Sequence, residues 1–152
     1  MTALDELLLS VRQMYAAIDR FDAIAAAELG VDRTALRAIN AMECGSVGPG
    51  ALGAALGLSS GSVTAMLDRL ERAGHIERSL SQEDGRRRDA RLTEQARDLA
   101  DRTYSRLGLA LSQAFSGQDE LRLRDLAAGL AAISAAFQKA SEAGEDCAQG
   151  PE

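Results

Sequence analysis

The sequence predicts a mainly α-helical chain carrying one small β-hairpin, and three observations carry that prediction. Aromatic residues make up only 3% of the 152 residues and Trp is absent, so the apolar 46% is a palette of Leu, Ala, Ile, Val and Met that favours helices over β-sandwiches. Apolar residues recur at helical three-and-four spacing near both ends of the chain. Between them, one stretch alternates apolar and polar residues on either side of a turn-rich segment, as paired strands do. The length suits one domain, or two small modules sharing a core.

The elements follow in order. Leu4, Leu7, Leu8, Val11, Met14, Tyr15, Ile18, Phe21 and Ala25 share one helix face, so a first helix runs over roughly 4–29. It closes at Gly30, where a residue without Cβ takes positive φ freely. Asp32 caps a second helix through Ala35, Leu36, Ile39 and Met42, stopped by Gly45. Gly48-Pro49 opens a short third helix, since Pro is tolerated where no intrahelical donor is needed. Ser59 caps a fourth, whose apolar residues Val63, Met66, Leu67 and Leu70 mark a buried face up to Ala73-Gly74.

Two short helices joined at Gly57 outline a helix-turn-helix. Leu52, Leu56, Leu58, Val63 and Met66 supply its apolar spacing, Gly53 is small where the helices cross, and Gly57 sits where the turn needs positive φ. A plain αα-hairpin shares the apolar spacing but needs neither glycine at these offsets. Next, His75 to Leu80 alternates as a half-buried strand, Ser81 to Gly85 is turn-rich, and Asp89 to Thr93 returns as a second strand. The hairpin carries Arg86, Arg87, Arg88 and Arg91, offset by Asp84 and Asp89. A solvated charged loop is the ordinary fate of such a run. Directly after a recognition-type helix it also reads as a wing, whose arginines suit the negative potential of a narrow minor groove.

Thr93 caps a long helix striped by Ala96, Leu99, Ala100, Thr103, Leu107, Leu111 and Phe115, and Gly117 breaks it. Asp119 caps a last helix striped by Leu121, Leu126, Leu130, Ile133 and Phe137. These two long helices and the first carry more apolar surface than a small winged domain covers, which makes a homodimer the expected solution. The organisation is therefore 1–46 as supporting and dimerising helices, 47–97 as a winged helix-turn-helix, 98–142 as dimerisation helices and 143–152 as a disordered tail.

Over residues 47–97 the chain resembles the MarR-type winged helix-turn-helix transcriptional regulators. The resemblance rests on the run from Leu58 to Gly74, on Ile76-Glu77-Arg78, and on Asp84-Gly85-Arg86 followed after five residues by Leu92-Thr93. Ala96 departs from the Gly usual in that family after the Leu-Thr pair. The resemblance implies that the helix capped by Ser59 enters the major groove of double-stranded DNA, with Ser60, Ser62, Thr64 and Ala65 against bases or phosphates and Arg69 at a phosphate. It implies that Arg86 is the wing arginine, held by Asp84, with Arg87 and Arg88 assisting on the backbone. Arg69 reads equally as a surface arginine paired with Asp68 or Glu71. His75, where the family often has an aromatic, reads as packing. The resemblance further implies that first and last helices interleave across a two-fold axis. A small anionic aromatic effector would lie in a crevice between those helices and the winged domain. Arg12, Tyr15 and Asn40 are the polar candidates to line it, although each also reads as a surface or boundary residue.

Composition narrows the function classes. One His and two Cys far apart supply no zinc set, so neither metal nor cofactor is expected. A Gly-rich Lys loop and a paired general acid and base are both missing from the sequence, which argues against an enzyme. The acidic start lacks the positive region of a secretory signal, and the uncharged run Cys44 to Leu67 is broken by glycines, so a cytoplasmic protein with no membrane span is expected. Reduced thiols follow, with Cys44 as a small buried hydrophobe and Cys147 idle in the tail.

The net charge is −6, yet residues 48–97 hold 8 bases against 7 acids, every base an Arg, while both flanks are acidic. The expected function is a sequence-specific, ligand-responsive dimeric repressor, less often an activator, on a pseudo-palindromic operator. Two alternatives stand beside it. One is a winged-helix module that binds protein, since the net negative charge opposes nonspecific DNA binding. The other is a cysteine-based redox-sensing regulator.

Overall fold

The computed structural model describes residues 2–80 and 88–148, with side chains through Ser141. Two compact units divide the chain, Met1–Arg106 and Leu107–Glu152. The elements are α1 (Ala3–Leu29), α2 (Arg33–Ala41), α3 (Pro49–Leu56), α4 (Ser60–Arg72), β1 (Ile76–Leu80), β2 (Arg88–Leu92), α5 (Glu94–Ala114) and α6 (Glu120–Ala148). The architecture is mainly helical with a two-stranded antiparallel hairpin, as the sequence predicts.

Local chemistry sets the boundaries. Asp32 accepts the Ala35 amide at 2.8 Å, Thr93 Oγ1 accepts the Ala96 amide at 3.2 Å, and Asp119 Oδ1 accepts the Arg122 amide at 2.8 Å. Thr2 and Asp5 add a reciprocal capping box at the start of α1. The axes of α3 and α4 bend by 110° at Gly57, whose φ of 65° lies in the left-handed region. A Cβ on Gly53 would stand 3.1 Å from the Leu58 carbonyl oxygen and 3.5 Å from Val63 Cγ2, so a side chain there would press the turn backbone back by a few tenths of an ångström.

The core of the first unit gathers Ala25 and Leu29 from α1, Leu36 and Ile39 from α2, Leu52 from α3, Val63, Met66, Leu67 and Leu70 from α4, and Ile76 and Leu92 from the hairpin. Ile76 faces Leu92 and Leu80 faces Arg88 in the hairpin register. Val47 adds a rung on the far side of β2, exchanging both amide bonds with Ala90 at 2.8 and 3.0 Å. That rung is illegible in the sequence, because a single Val among Ser and Gly shows no alternation. Within this unit α5 is tied to α1 by Glu28, which accepts from Thr103 Oγ1 at 3.1 Å and from Arg106 at 2.7 Å.

Two expectations need correction. Cys44 is exposed rather than buried, because α2 ends at Ala41 and the chain turns after Met42, taking Cys44 off the helix's apolar face. Residues 143–148, read as the start of a disordered tail, continue α6 as helical backbone through Ala148. Ala and Glu there sustain a helix, and no Pro intervenes before Pro151. Among the described residues, no single helix is long and apolar enough to cross a membrane.

Candidate nucleic-acid interface

The site is built on α4. Val63, Met66, Leu67 and Leu70 turn one side into the core, which leaves Ser60, Ser62, Thr64, Ala65 and Arg69 exposed on the other. Ser59 positions the first turn: its hydroxyl accepts the Ser62 amide at 3.3 Å and lies 2.9 Å from the Ser62 hydroxyl. Thr64 Oγ1 donates to the Ser60 carbonyl at 2.9 Å, which commits its proton and leaves its lone pairs outward as acceptors. This is a face of short polar groups, adjustable at Ser60 and Ser62 and fixed at Thr64.

Arg69 has neither partner proposed from its neighbours. Its guanidinium reaches Asp32 at the start of α2, NH2 to Oδ2 at 3.2 Å, with both side chains more than half exposed. Asp68 and Glu71 are turned instead to Arg78 on β1. Arg78 NH2 lies 2.5 Å from Asp68 Oδ1, and its Nε stands 3.4 Å from Glu71 Oε2 without hydrogen-bond geometry. Only 19% of the Arg78 side chain is exposed, so it is a clasp between wing strand and helix. Sequence reading missed this role, although acids three apart on one helix face followed by an Arg in the next strand were a usable signal.

The hairpin carries further charge. Arg91 pairs with its cross-strand partner Glu77 at 2.8 Å, and Arg88 is exposed at the first position of β2. Asp84, Arg86 and Arg87 lie outside the described residues. His75 is half-buried and lines a shallow cleft of about 180 Å³ together with Asp32, Met66 and Arg69.

The three polar candidates for an effector crevice are not brought together. Tyr15 lines a cleft of about 380 Å³ between α1 and α2 with Ile18, Asp19, Asp22, Arg33 and Arg37. Arg33 closes one side of it by pairing with Asp19. Asn40 is absent from that lining and is spent on Tyr104, donating Nδ2 to its oxygen at 2.8 Å and accepting its proton at 3.1 Å. The Tyr104 ring in turn packs on Phe21 with centroids 5.4 Å apart. Burial raises the Tyr104 phenol above its ordinary range, against the Asn40 hydrogen bond and with the charges of Asp22 and Glu43 adding to the rise. Arg12 is exposed and lines neither cleft.

The chain is similar to known proteins in sequence over its middle part and in fold over most of its length. Residues 29–87 match the model of the MarR family. Over 68 residues the chain is 44% identical to the uncharacterized HTH-type transcriptional regulator YcgE of Bacillus subtilis, a match that spans 44% of each protein, less than half of that relative's length. Among solved structures, a mutant MepR from a multidrug-resistant S. aureus clinical isolate superposes with a TM-score of 0.67 at 17% identity, covering 86% of this chain and 96% of that one. MepR from S. aureus in complex with DNA gives 0.55 at 16% identity, covering 82% and 98%. At such identities the likeness to the solved structures is one of fold.

Proposed function

Because residues 29–87 match the model of the MarR family, we propose that the protein is a MarR-type DNA-binding transcriptional regulator, acting as a ligand-responsive dimeric repressor on a pseudo-palindromic operator. The observation that carries the reading is the exposed face of α4, where Ser60, Ser62, Thr64, Ala65 and Arg69 stand clear of the core beside the bend with α3. A helix fits the major groove. Its hydroxyls meet phosphates or base edges, and Ala65 offers a methyl group to thymine. Arg69 takes a phosphate, while Arg86 enters the minor groove with Asp84 holding its guanidinium fork and Arg87 and Arg88 on the backbone.

A second copy of the chain covers the apolar faces at both ends. Leu4, Leu7 and Leu8 on α1 are about half exposed, as are Leu126, Leu130 and Phe137 on α6. Residues 1–46 and 98–142 then hold the dimer, and 47–97 addresses the DNA. A two-fold arrangement sets the two α4 helices roughly one DNA turn apart, about 34–36 Å. The effector is a small aromatic anion in the cleft beside Tyr15, with the Tyr15 ring to stack on and Arg37 to meet the carboxylate. Arg12 and Asn40 drop out of that site. A cytoplasmic location follows from the DNA partner.

A mobility-shift titration with duplex DNA flanking the protein's own gene tests the reading, with a retarded band that rising salt removes as the expected result. The net charge of −6 per chain supports a second reading, a winged module that binds protein. No shift at low salt would favour it.

A further inference from the structure

Asp32 uses its two carboxylate oxygens differently. Oδ1 accepts the Ala35 amide at 2.8 Å and caps α2, while Oδ2 accepts Arg69 NH2 at 3.2 Å. Arg69 continues the α4 stripe of Ser62 and Ala65 at spacings of three and four residues. We propose that Asp32 is a built-in brake on DNA binding, which holds the Arg69 guanidinium back from phosphate and cancels one positive charge on the DNA-facing side of each protomer. The inference rests on the reading that α4 meets DNA.

The cap makes the brake fixed. Asp32 cannot follow Arg69 outward without uncapping α2, so on DNA binding the guanidinium is the group that leaves. Arg69 is free to do so, because its side chain is 61% exposed and its contact to Asp32 is a single NH2 bond. A pair this exposed biases Arg69 by only about 2- to 5-fold. The carboxylate stays behind, however, close to the phosphate that Arg69 would contact, and repels it. Arg69 and Arg72 are the two bases of α4, and Arg72 is turned back to the Asp68 carbonyl at 3.2 Å. Neutralising Arg69 therefore removes much of the helix's sequence-independent attraction. Since phosphate contacts draw a protein equally to every sequence, a damped phosphate contact leaves the base contacts of α4 a larger share of the decision.

Asp32→Asn isolates the charge, because Asn caps a helix as well as Asp does. The measurement is fluorescence anisotropy on a labelled mixed-sequence duplex of about 30 bp across a salt series, with Asp32→Ser as a second cap-preserving variant and melting temperatures to verify the fold. Both variants are expected to bind about 3- to 10-fold tighter at low salt, and the slope of log K against log salt should steepen by about 0.9 per protomer. Arg69→Ala should erase that gain, so that Arg69→Ala alone and Arg69→Ala in the Asn background bind with the same slope. Unchanged affinity and slope in both variants would overturn the brake. So would weaker binding, which would make Asp32 a residue that orients Arg69. If the unmodified protein binds no duplex at any salt, the α4 reading fails and the brake fails with it.

Discussion

Arg78 on β1 closes a 2.5 Å ion pair with Asp68 on α4 and places its Nε 3.4 Å from Glu71, one helical turn further along. The contact joins the hairpin to the helix on which the proposed DNA-binding face is built. Because the guanidinium is largely buried and both carboxylates are about half exposed, Arg78 carries the desolvation cost and the acids keep part of their hydration.

Arg78→Leu leaves two acids facing one another across an apolar patch. It should destabilise the fold by about 1–3 kcal/mol, less than loss of a fully buried pair, since water reaches Asp68 and Glu71. Arg78→Lys should recover part of this, keeping the charge but not the fork. Urea unfolding checks it: the midpoint should fall in the order native, Lys, Leu at a common slope.

Two glycines near the turn should respond in opposite directions. Gly53→Ala forces a Cβ to 3.1 Å from a backbone oxygen that cannot rotate away, and should cost about 1–2 kcal/mol. Gly61, inside α4, has nothing within 4 Å of an added Cβ, so Gly61→Ala should stabilise by about 0.5–1 kcal/mol through helix propensity. Equal melting temperatures for the two variants would refute the close-approach argument at Gly53.

These contrasts mark what a sequence can convey. Caps and glycine stops act over three or four residues, so Asp32, Gly57, Ser59, Thr93 and Asp119 were legible and set the helix boundaries with the apolar stripes. Charged side chains are different. Arg69 sits beside Asp68 and Glu71 in sequence yet meets Asp32, 37 residues away, because long side chains choose partners by tertiary packing. Cys44 failed for a related reason, since its burial depended on where α2 stops. Asn40 looked like a free polar group only because Tyr104 lies 64 residues on.

Glu43 gives a pH signature. Partial desolvation, and then the charge of Asp101, raise its carboxyl above the ordinary Glu range. A raised acid pKa means that the folded state holds the proton more tightly, so ionising Glu43 opposes folding. The penalty is complete above the folded-state pKa and vanishes below the unfolded value, about 4.3. Glu43→Gln should therefore raise the melting temperature at pH 7 and leave it unchanged once the pH falls below that unfolded value. A benefit that persists undiminished at low pH would point to packing instead of charge.

The proposed dimer rests on α6, where Leu130 and Phe137 are 49% and 58% exposed in the single chain. Seven residues apart, they share one face. Leu130→Glu with Phe137→Glu should give a monomer by light scattering at micromolar concentration, where the unmodified chain is expected as a two-fold dimer. Operator binding should fall steeply in that variant, because each half-site would then be bound alone. A native chain that is itself monomeric would remove the dimer from the account.

Wing and helix are separable by their salt response. Arg86 is the arginine assigned to the minor groove, so Arg86→Ala should weaken binding to most sequences by about 1–3 kcal/mol and flatten the salt slope by roughly one unit. Thr64→Ala removes a hydroxyl whose proton is already committed to the Ser60 carbonyl. Its loss should cost less, leave the salt slope alone, and act only where a base amino group donates to that oxygen. Acids outnumber bases 23 to 17 in the chain, which opposes phosphate contact over most of its surface, so the wing should carry an unusual share of a shallow overall salt dependence. If Arg86→Ala changes neither affinity nor slope while the dimer persists, the groove contact passes to Arg88, exposed at the first position of β2. Arg88→Ala would then have to show the loss, or the wing does not touch DNA.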